Sequence, residues 1–374
     1  MRRIAAAALI SLVIGIMNPG PAAAACTPGW YEMASTQNPG TNERGFNGID
    51  ARTLGDVWAV GSYEDLGGSP QTMIQHFDGT LWSVVTSPNQ NSEANVLNAV
   101  DAIGELNAWA VGRYSATGND FPLAMNWDGI DWTIMSPSPA EEGQFNGVSA
   151  VAGNAVWAVG SEEGPTKELT LVQRWNGDEW VTFESANPGA IFNRLTDVDM
   201  LGPRTGFAVG SYQSGLNPTQ PLILVKDHAK WKKMNPPATG NPTTLLGVEV
   251  IRKDDVWAVG FFGSVANFRP VTFHYNGKSW SKKEAPSGGS MQAALNDVTA
   301  RGRRPVWAVG MTDDDTLALR WNGRRWVLTS PPNPGLAENS FDGASIAPSG
   351  FVFAAGEKDD GGPAEALAGI FCPG

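Results

Sequence analysis

A pentapeptide VWAVG at Val57–Gly61 is one of seven near-copies, and a tryptophan opens a strand seven times in step with them. The first strand of the chain also supplies what its last unit lacks. Together these observations predict an all-β fold, a seven-bladed β-propeller of four-stranded antiparallel blades. The pentapeptide recurs as Ala108–Gly112, Val156–Gly160, Gly206–Gly210, Val256–Gly260, Val306–Gly310 and Val352–Gly356. Its aromatic falls at Trp58, Trp109, Trp157, Phe207, Trp257, Trp307 and Phe353, at intervals of 46 to 51 residues.

In the first repeat, Phe46–Ala51 reads as strand A, with a small residue in its middle. Val57–Gly61 is strand B, apolar throughout as a strand buried on both faces should be. A loop rich in Gly, Pro and charge leads to strand C at Met73–Phe77. Asp78-Gly79 then turns into strand D at Leu81–Val85. Equivalent turn dipeptides are Asp128-Gly129, Asn176-Gly177, Asn276-Gly277 and Asn322-Gly323, which favour positive φ; the fourth unit has Asp227-His228-Ala229-Lys230 instead. Strand D begins at Trp30, Trp82, Trp132, Trp180, Trp231, Trp280 and Trp326.

The two ends fit together. Trp30 marks a strand D with no strands A to C before it, and the last unit has A (Phe341–Ile346), B and C (about Ala366 to Phe371) and then stops. The N-terminal strand should therefore complete the last blade and cover the edge an open sheet would expose. Cys26 and Cys372 are the only cysteines and align with the turn residue Asn322, so a disulfide between them would replace the missing hairpin turn. The alternative is a lipoprotein acylated at Cys26, since Ala23-Ala24-Ala25-Cys26 is a permissive lipobox.

Residues 1–25 carry Arg2 and Arg3, an apolar run from Ile4 to Met17, Pro19-Gly20-Pro21 and small residues up to Ala25. That order is a secretory signal, and the apolar run is too short to span a membrane. The expectation is an exported protein whose residues 26–374 form one domain. The formal net charge of −12 repels phosphate backbones and anionic headgroups, so neither nucleic acid nor membrane insertion is expected. The expected partner is a glycan or a protein, and the chain is expected to be a monomer.

The repeat, with strand B ending in Gly and Trp opening strand D, resembles the kelch-type blade. More closely it resembles uncharacterised secreted bacterial proteins built from VWAVG and WNGxxW repeats. It departs from kelch in having one Gly after strand B where kelch has a pair (Gly61, Gly112, Gly160). The DG-x-x-W turn is similar to the Asp-box of sialidase-type propellers but one residue shorter. Neither resemblance carries an activity with it.

Fifteen tryptophans invite a lectin reading, yet twelve occupy the strand-B and strand-D repeat positions, and Trp127, Trp175 and Trp321 share a strand-C position. Packing between blades explains residues that recur in nearly every unit. Asn47, Asn98, Asn146, Asn296, Thr196 and Asp342 share one strand-A position and should hydrogen-bond to backbone around the ring. Asp50, Asp101, Ser149, Asp199, Glu249, Thr299 and Ser345 share another and read as a solvated channel wall, with a cation between the acids as the alternative. His76 and His274 read as exposed strand residues, and His228 as a turn residue. No zinc spacing or G-x-S-x-G elbow occurs in the sequence.

Function is expected on the loops from B to C and from D to A, which vary where the strands do not. The candidate ligand-binding residues are Tyr63, Tyr114, Tyr212 and Phe262, which follow the strand-B glycine in register, Arg113 and Glu162, which break the repeat, Arg194 on a D–A loop, and the B–C loop acids Asp313 and Asp314. The reading is an exported, non-catalytic binding propeller without a cofactor. The alternative is a polysaccharide hydrolase or lyase using loop carboxylates with Arg113 or Arg194. Ca²⁺ at Asp313-Asp314-Asp315 or Asp359-Asp360 is the minority expectation for a metal.

Overall fold

The computed structural model describes residues 26–34, 44–137, 141–227 and 230–374. The expected leader at 1–25, Asn42 and Glu43 of one D–A loop, and His228 and Ala229 of the fourth hairpin turn lie outside these residues. Seven separate four-stranded sheets form, each antiparallel and ordered A-B-C-D. In the third blade the strands are Gly143–Ala152, Ala155–Glu163, Glu168–Trp175 and Trp180–Thr182. The last blade takes Asn339–Ile346, Val352–Lys358 and Glu365–Cys372, with Gly29–Met33 as its strand D. Trp30 pairs with Phe371 and Gly29 with Cys372. Cys26 and Cys372 form a disulfide with their Cα atoms 6.2 Å apart, so the thiol that the acylated alternative requires is already used.

The recurrent residues build the joints between blades. Six of the seven strand-B aromatics meet, nearly edge-on, the strand-D tryptophan of the next blade: Trp58 with Trp132, Trp109 with Trp180, Trp157 with Trp231, Phe207 with Trp280, Trp257 with Trp326 and Trp307 with Trp30, while Phe353 meets Phe77 of the first blade. In the edge-on pairs ring centroids are 5.2 to 6.0 Å apart and interplanar angles are 76° to 89°, the geometry that aromatic quadrupoles favour. Strand B is buried as expected, with Val57, Ala59 and Val60 at 0% exposure.

The glycine that closes each VWAVG has a steric cause. Strand A carries a β-bulge in every blade, between Phe145 and Gly147 in the third. Beside the bulge the strand-A backbone presses onto strand B, so a Cβ at Gly160 would overlap the Gln144 carbonyl oxygen, and one at Gly61 the Gly45 oxygen.

Three expectations need correction. The hairpin-turn dipeptides need positive φ at the glycine alone: Gly79 has φ 95° and Gly177 φ 111°, while Asp78 and Asn176 use a side-chain oxygen to accept two backbone N–H groups. His76 and His274 are half-buried, each ring lying on a strand-B tryptophan with Nε2 2.8 Å from Asp56 or Asp255. The acids expected on a solvated channel wall point sideways into the next blade, as follows.

Candidate functional site

The bulge gives strand A two rows of inter-blade hydrogen bonds. At the bulge itself, Asn47 donates to the Leu97 carbonyl (2.8 Å), Asn98 to Phe145 (2.7 Å), Asn146 to Leu195 (2.7 Å), Thr196 to Leu245 (2.9 Å) and Asn296 to Phe341 (3.0 Å). Three residues on, a carboxylate or hydroxyl accepts a backbone N–H of the next blade: Asp50 from Ala102, Asp101 from Ala150, Ser149 from Met200, Asp199 from Val250 and Ser345 from Ala51. Asp197 and Asp297 add the same bond to Val248 and Ala344. The channel mouth above these rows is a hollow of about 490 Å³ lined by the bulge side chains, with Asp197, Asp297 and Asp342 among them.

Packing acids into this ring raises their pKa values. Burial pushes Asp199 up to about 6, and Asp297 and Asp342 up to about 7. Burial, with the charge of Asp50, lifts Asp101 well above the carboxylate range. Such a carboxyl holds its proton more tightly folded than unfolded. Its stabilisation is complete below the ordinary carboxylate pKa and disappears as pH rises through the folded value. Asp78 and Asp128, whose carboxyls backbone N–H groups hold below their usual range, act in the opposite sense, but only in more acidic solution. The melting temperature should therefore fall by about 2 °C or more between about pH 5 and about pH 8. Asp199→Asn, which keeps an acceptor for Val250, should flatten that slope; a melting temperature constant over this interval would contradict the assignment.

The larger cleft lies on the face of the B–C and D–A loops, across the second, third and fourth blades. It measures about 620 Å³, and its charged lining is Asp120, Glu142, Glu163, Glu168 and Arg194. Arg194 forks onto Glu168, with Nε to Oε1 at 2.8 Å and Nη2 to Oε2 at 3.1 Å. Arg113 reaches Asp120 at 3.2 Å, and Ser115 Oγ donates to the same carboxylate at 2.6 Å. Asn119 donates to Glu142 at 2.9 Å. The cleft is acidic and its charged groups are already oriented.

Its loops are held by asparagines. Asn193, fully buried, accepts from Gly189 N–H and donates to the Glu168 and Gly189 carbonyls. Asn187 accepts from Thr170 N–H at 2.7 Å. Asn339 repeats the first arrangement, and Asn89 and Asn333 the second, while Asn95 accepts from Gln90 N–H and donates to the Asn91 and Glu93 carbonyls. Such bonds fix the loops before any ligand arrives.

The nine predicted residues do not converge. Arg194 lines the acidic cleft, and Arg113 meets it through Asp120. Glu162 stands nearby, half-buried, its pKa raised by burial and by Glu141. Tyr63 packs on the core of the first blade, and Tyr114 stacks on Phe121 with centroids 5.5 Å apart. Lys233 Nζ lies 5.1 Å from the Tyr212 ring, and Lys282 Nζ 4.3 Å from the Phe262 ring. Asp313 accepts from Gln292 N–H at 3.0 Å and, with Asp314, lines a separate hollow of about 390 Å³ in the sixth blade. Among the described residues no group of three or more His, Cys, Asp or Glu is placed to hold a metal ion.

Sequence reading missed Glu168, Glu142 and the anchoring asparagines. The available signal was the tripeptide Asn-Pro-Gly, which beyond the expected leader occurs at 38–40, 187–189 and 333–335.

The class these observations define is the seven-bladed β-propeller with a fixed, polar loop face. No family model matches the chain, and a comparison with curated proteins returns no match. Among solved structures it is similar to YCF48 bound to D1 peptide, with TM-score 0.59 and 14% identity over 92% of this chain and 97% of that one. It is also similar to YCF48 from Cyanidioschyzon merolae, with TM-score 0.57 and 15% identity over 92% and 99%. A third similarity is to the extracellular domain assigned to the hybrid two-component system BT4673 from B. thetaiotaomicron, with TM-score 0.54 and 9% identity over 91% of this chain and 39% of that one. At these identities the likeness is one of fold.

Proposed function

We propose that the protein is an exported, non-catalytic binding propeller that holds a peptide segment of a partner protein in the acidic loop-face cleft. The observation that carries this reading is the convergence of non-repeated charged residues, Asp120, Glu142, Glu163, Glu168 and Arg194, at strand ends and loops of one face, with the segment before Arg194 pinned to strand C of the third blade by Asn187 and Asn193. A fixed polar cleft loses little entropy when a ligand docks, and its surplus of carboxylates favours a segment bearing lysine or arginine. Export accords with the leader-like N-terminus and with the disulfide. One solved structure of similar fold is of a propeller with a bound peptide.

The hydrolase or lyase alternative needs an arginine and a carboxylic acid free to act on a sugar. Arg113 and Arg194 are each held by a carboxylate, which weighs against that use. A peptide array and a glycan array, with reducing-end release assayed alongside, test the choice. Basic peptides should bind without turnover, and Glu142→Gln with Glu168→Gln should weaken them about tenfold or more. Release of reducing ends, abolished by Glu162→Gln, would establish the enzyme instead, and glycan capture without peptide capture would overturn the peptide reading.

A further inference from the structure

The sixth blade carries a basic corner on the face opposite the loop cleft. Its A–B turn and the end of its strand C with the following turn read ARGRRP (300–305) and RWNGRRW (320–326): six arginines and no acid, in a chain of net charge −12. The two turns touch, with the Arg304 guanidinium lying over Gly323, where a side chain would collide with it. Arg320 lies over the Trp307 ring at 5.8 Å, and Arg303 reaches Asp255 at 3.4 Å. Arg301, Arg304, Arg324 and Arg325 are exposed and make no side-chain hydrogen bond or ion pair among the described residues.

Nothing in the repeat requires this arrangement. The same corner in the second blade holds Glu105, Asp128 and Asp131, and in the fifth blade Asp254 and Asp255 offset Arg252 and Lys253. Like charges held close destabilise the folded chain, so an unpaired cluster costs stability that only an anionic partner would return.

Between the turns lies a cleft of about 530 Å³ whose walls include Arg304, Arg320, Trp321 and Val327. One side is strand D of this blade, Trp326–Leu328, the outer edge of its sheet, with Val327 and Leu328 partly exposed. An extended peptide can pair with such an edge through its backbone, which a polyuronate or an oligonucleotide cannot do. Guanidinium forks match carboxylates two bonds at a time, and Val327 with Trp321 offers apolar contact between them.

We propose that this corner of the sixth blade is a second binding site, which takes an acidic peptide in extended form. Carboxylates meet Arg304 and Arg320 within the cleft and Arg301, Arg324 and Arg325 at its rim, and intervening apolar side chains rest on Val327 and Trp321.

The test is fluorescence anisotropy with a labelled peptide alternating Glu and Val. Binding is expected, weakening steeply with salt, and absent for the Gln–Val peptide. Arg324→Glu with Arg325→Glu changes only exposed side chains whose backbone stays capped by Asn322, and should lower affinity about tenfold or more. An unchanged circular dichroism spectrum confirms that the variant folds. The proposal fails if the Glu–Val peptide does not bind at low salt, if the double substitution leaves its affinity unchanged, or if an oligonucleotide or oligouronate of equal charge binds more tightly.

Discussion

Trp157→Ala should destabilise the whole ring by about 3–5 kcal/mol, the largest effect expected of any single substitution. The indole is 1% exposed and stands at the joint between the third and fourth blades. Its ring meets Trp231 at 5.5 Å and Phe183 at 4.8 Å, and Lys226 Nζ lies over it at 4.9 Å. Removing it opens a cavity that neither neighbouring sheet can close without moving its backbone, because strand B is locked between A and C over its full length. Urea unfolding followed by circular dichroism reads the loss directly. Trp157→Phe, which the fourth blade already accepts at Phe207, should cost far less.

Removing the closure between the ends comes next. Cys26→Ser with Cys372→Ser should cost about 2–5 kcal/mol, since the bond spans almost the whole chain and its loss frees the unfolded state. The effect has a location. Gly29–Met33 is held to the last blade by five register pairs and by the Trp30 indole, which donates to Thr329 at 3.1 Å. Without the disulfide, hydrogen exchange should rise first in Gly29–Met33 and Glu365–Cys372, while the other six blades stay protected. An intact mass that falls on acylation-specific cleavage, or that shows diacylglycerol on Cys26, would contradict the closure.

The architecture was legible in the sequence because every blade solves the same packing problem with the same residue types. Trp58 and Trp132 recur because two flat blades need one large ring from each side, and the final glycine of VWAVG recurs because the strand-A bulge leaves no room for a Cβ. The ends were legible because a lone strand D at the N-terminal side matches a last unit that holds only A, B and C. Direction within strand A was harder to read. Asp50 and Asp199 alternate as channel residues should, yet the bulge turns their carboxylates toward the neighbouring backbone, and bulges leave little mark in a residue pattern.

The candidate site was only partly legible. Arg113 stood out because it breaks the repeat and Arg194 because it sits on a D–A loop, but their partners Asp120 and Glu168 lie 7 residues after and 26 residues before them, at strand starts beyond loops of uneven length. The aromatics after the strand-B glycine were conspicuous by position, and the structure places each beside its own blade: Tyr114 on Phe121, Phe262 under Lys282. The basic corner of the sixth blade is plain in RGRR and NGRR once the hairpin turns are known to touch.

The central claim is that repeated residues build this protein and unrepeated loop residues bind its ligand. The most direct test measures stability and affinity on the same variants, with a basic peptide captured from the array as the probe. Trp157→Phe should lower the urea midpoint and leave the dissociation constant unchanged, whereas Glu142→Gln with Glu168→Gln should raise the dissociation constant about tenfold and leave the midpoint unchanged. Loss of affinity in Trp157→Phe with the double Gln variant silent would place binding on the tryptophan scaffold and contradict the account.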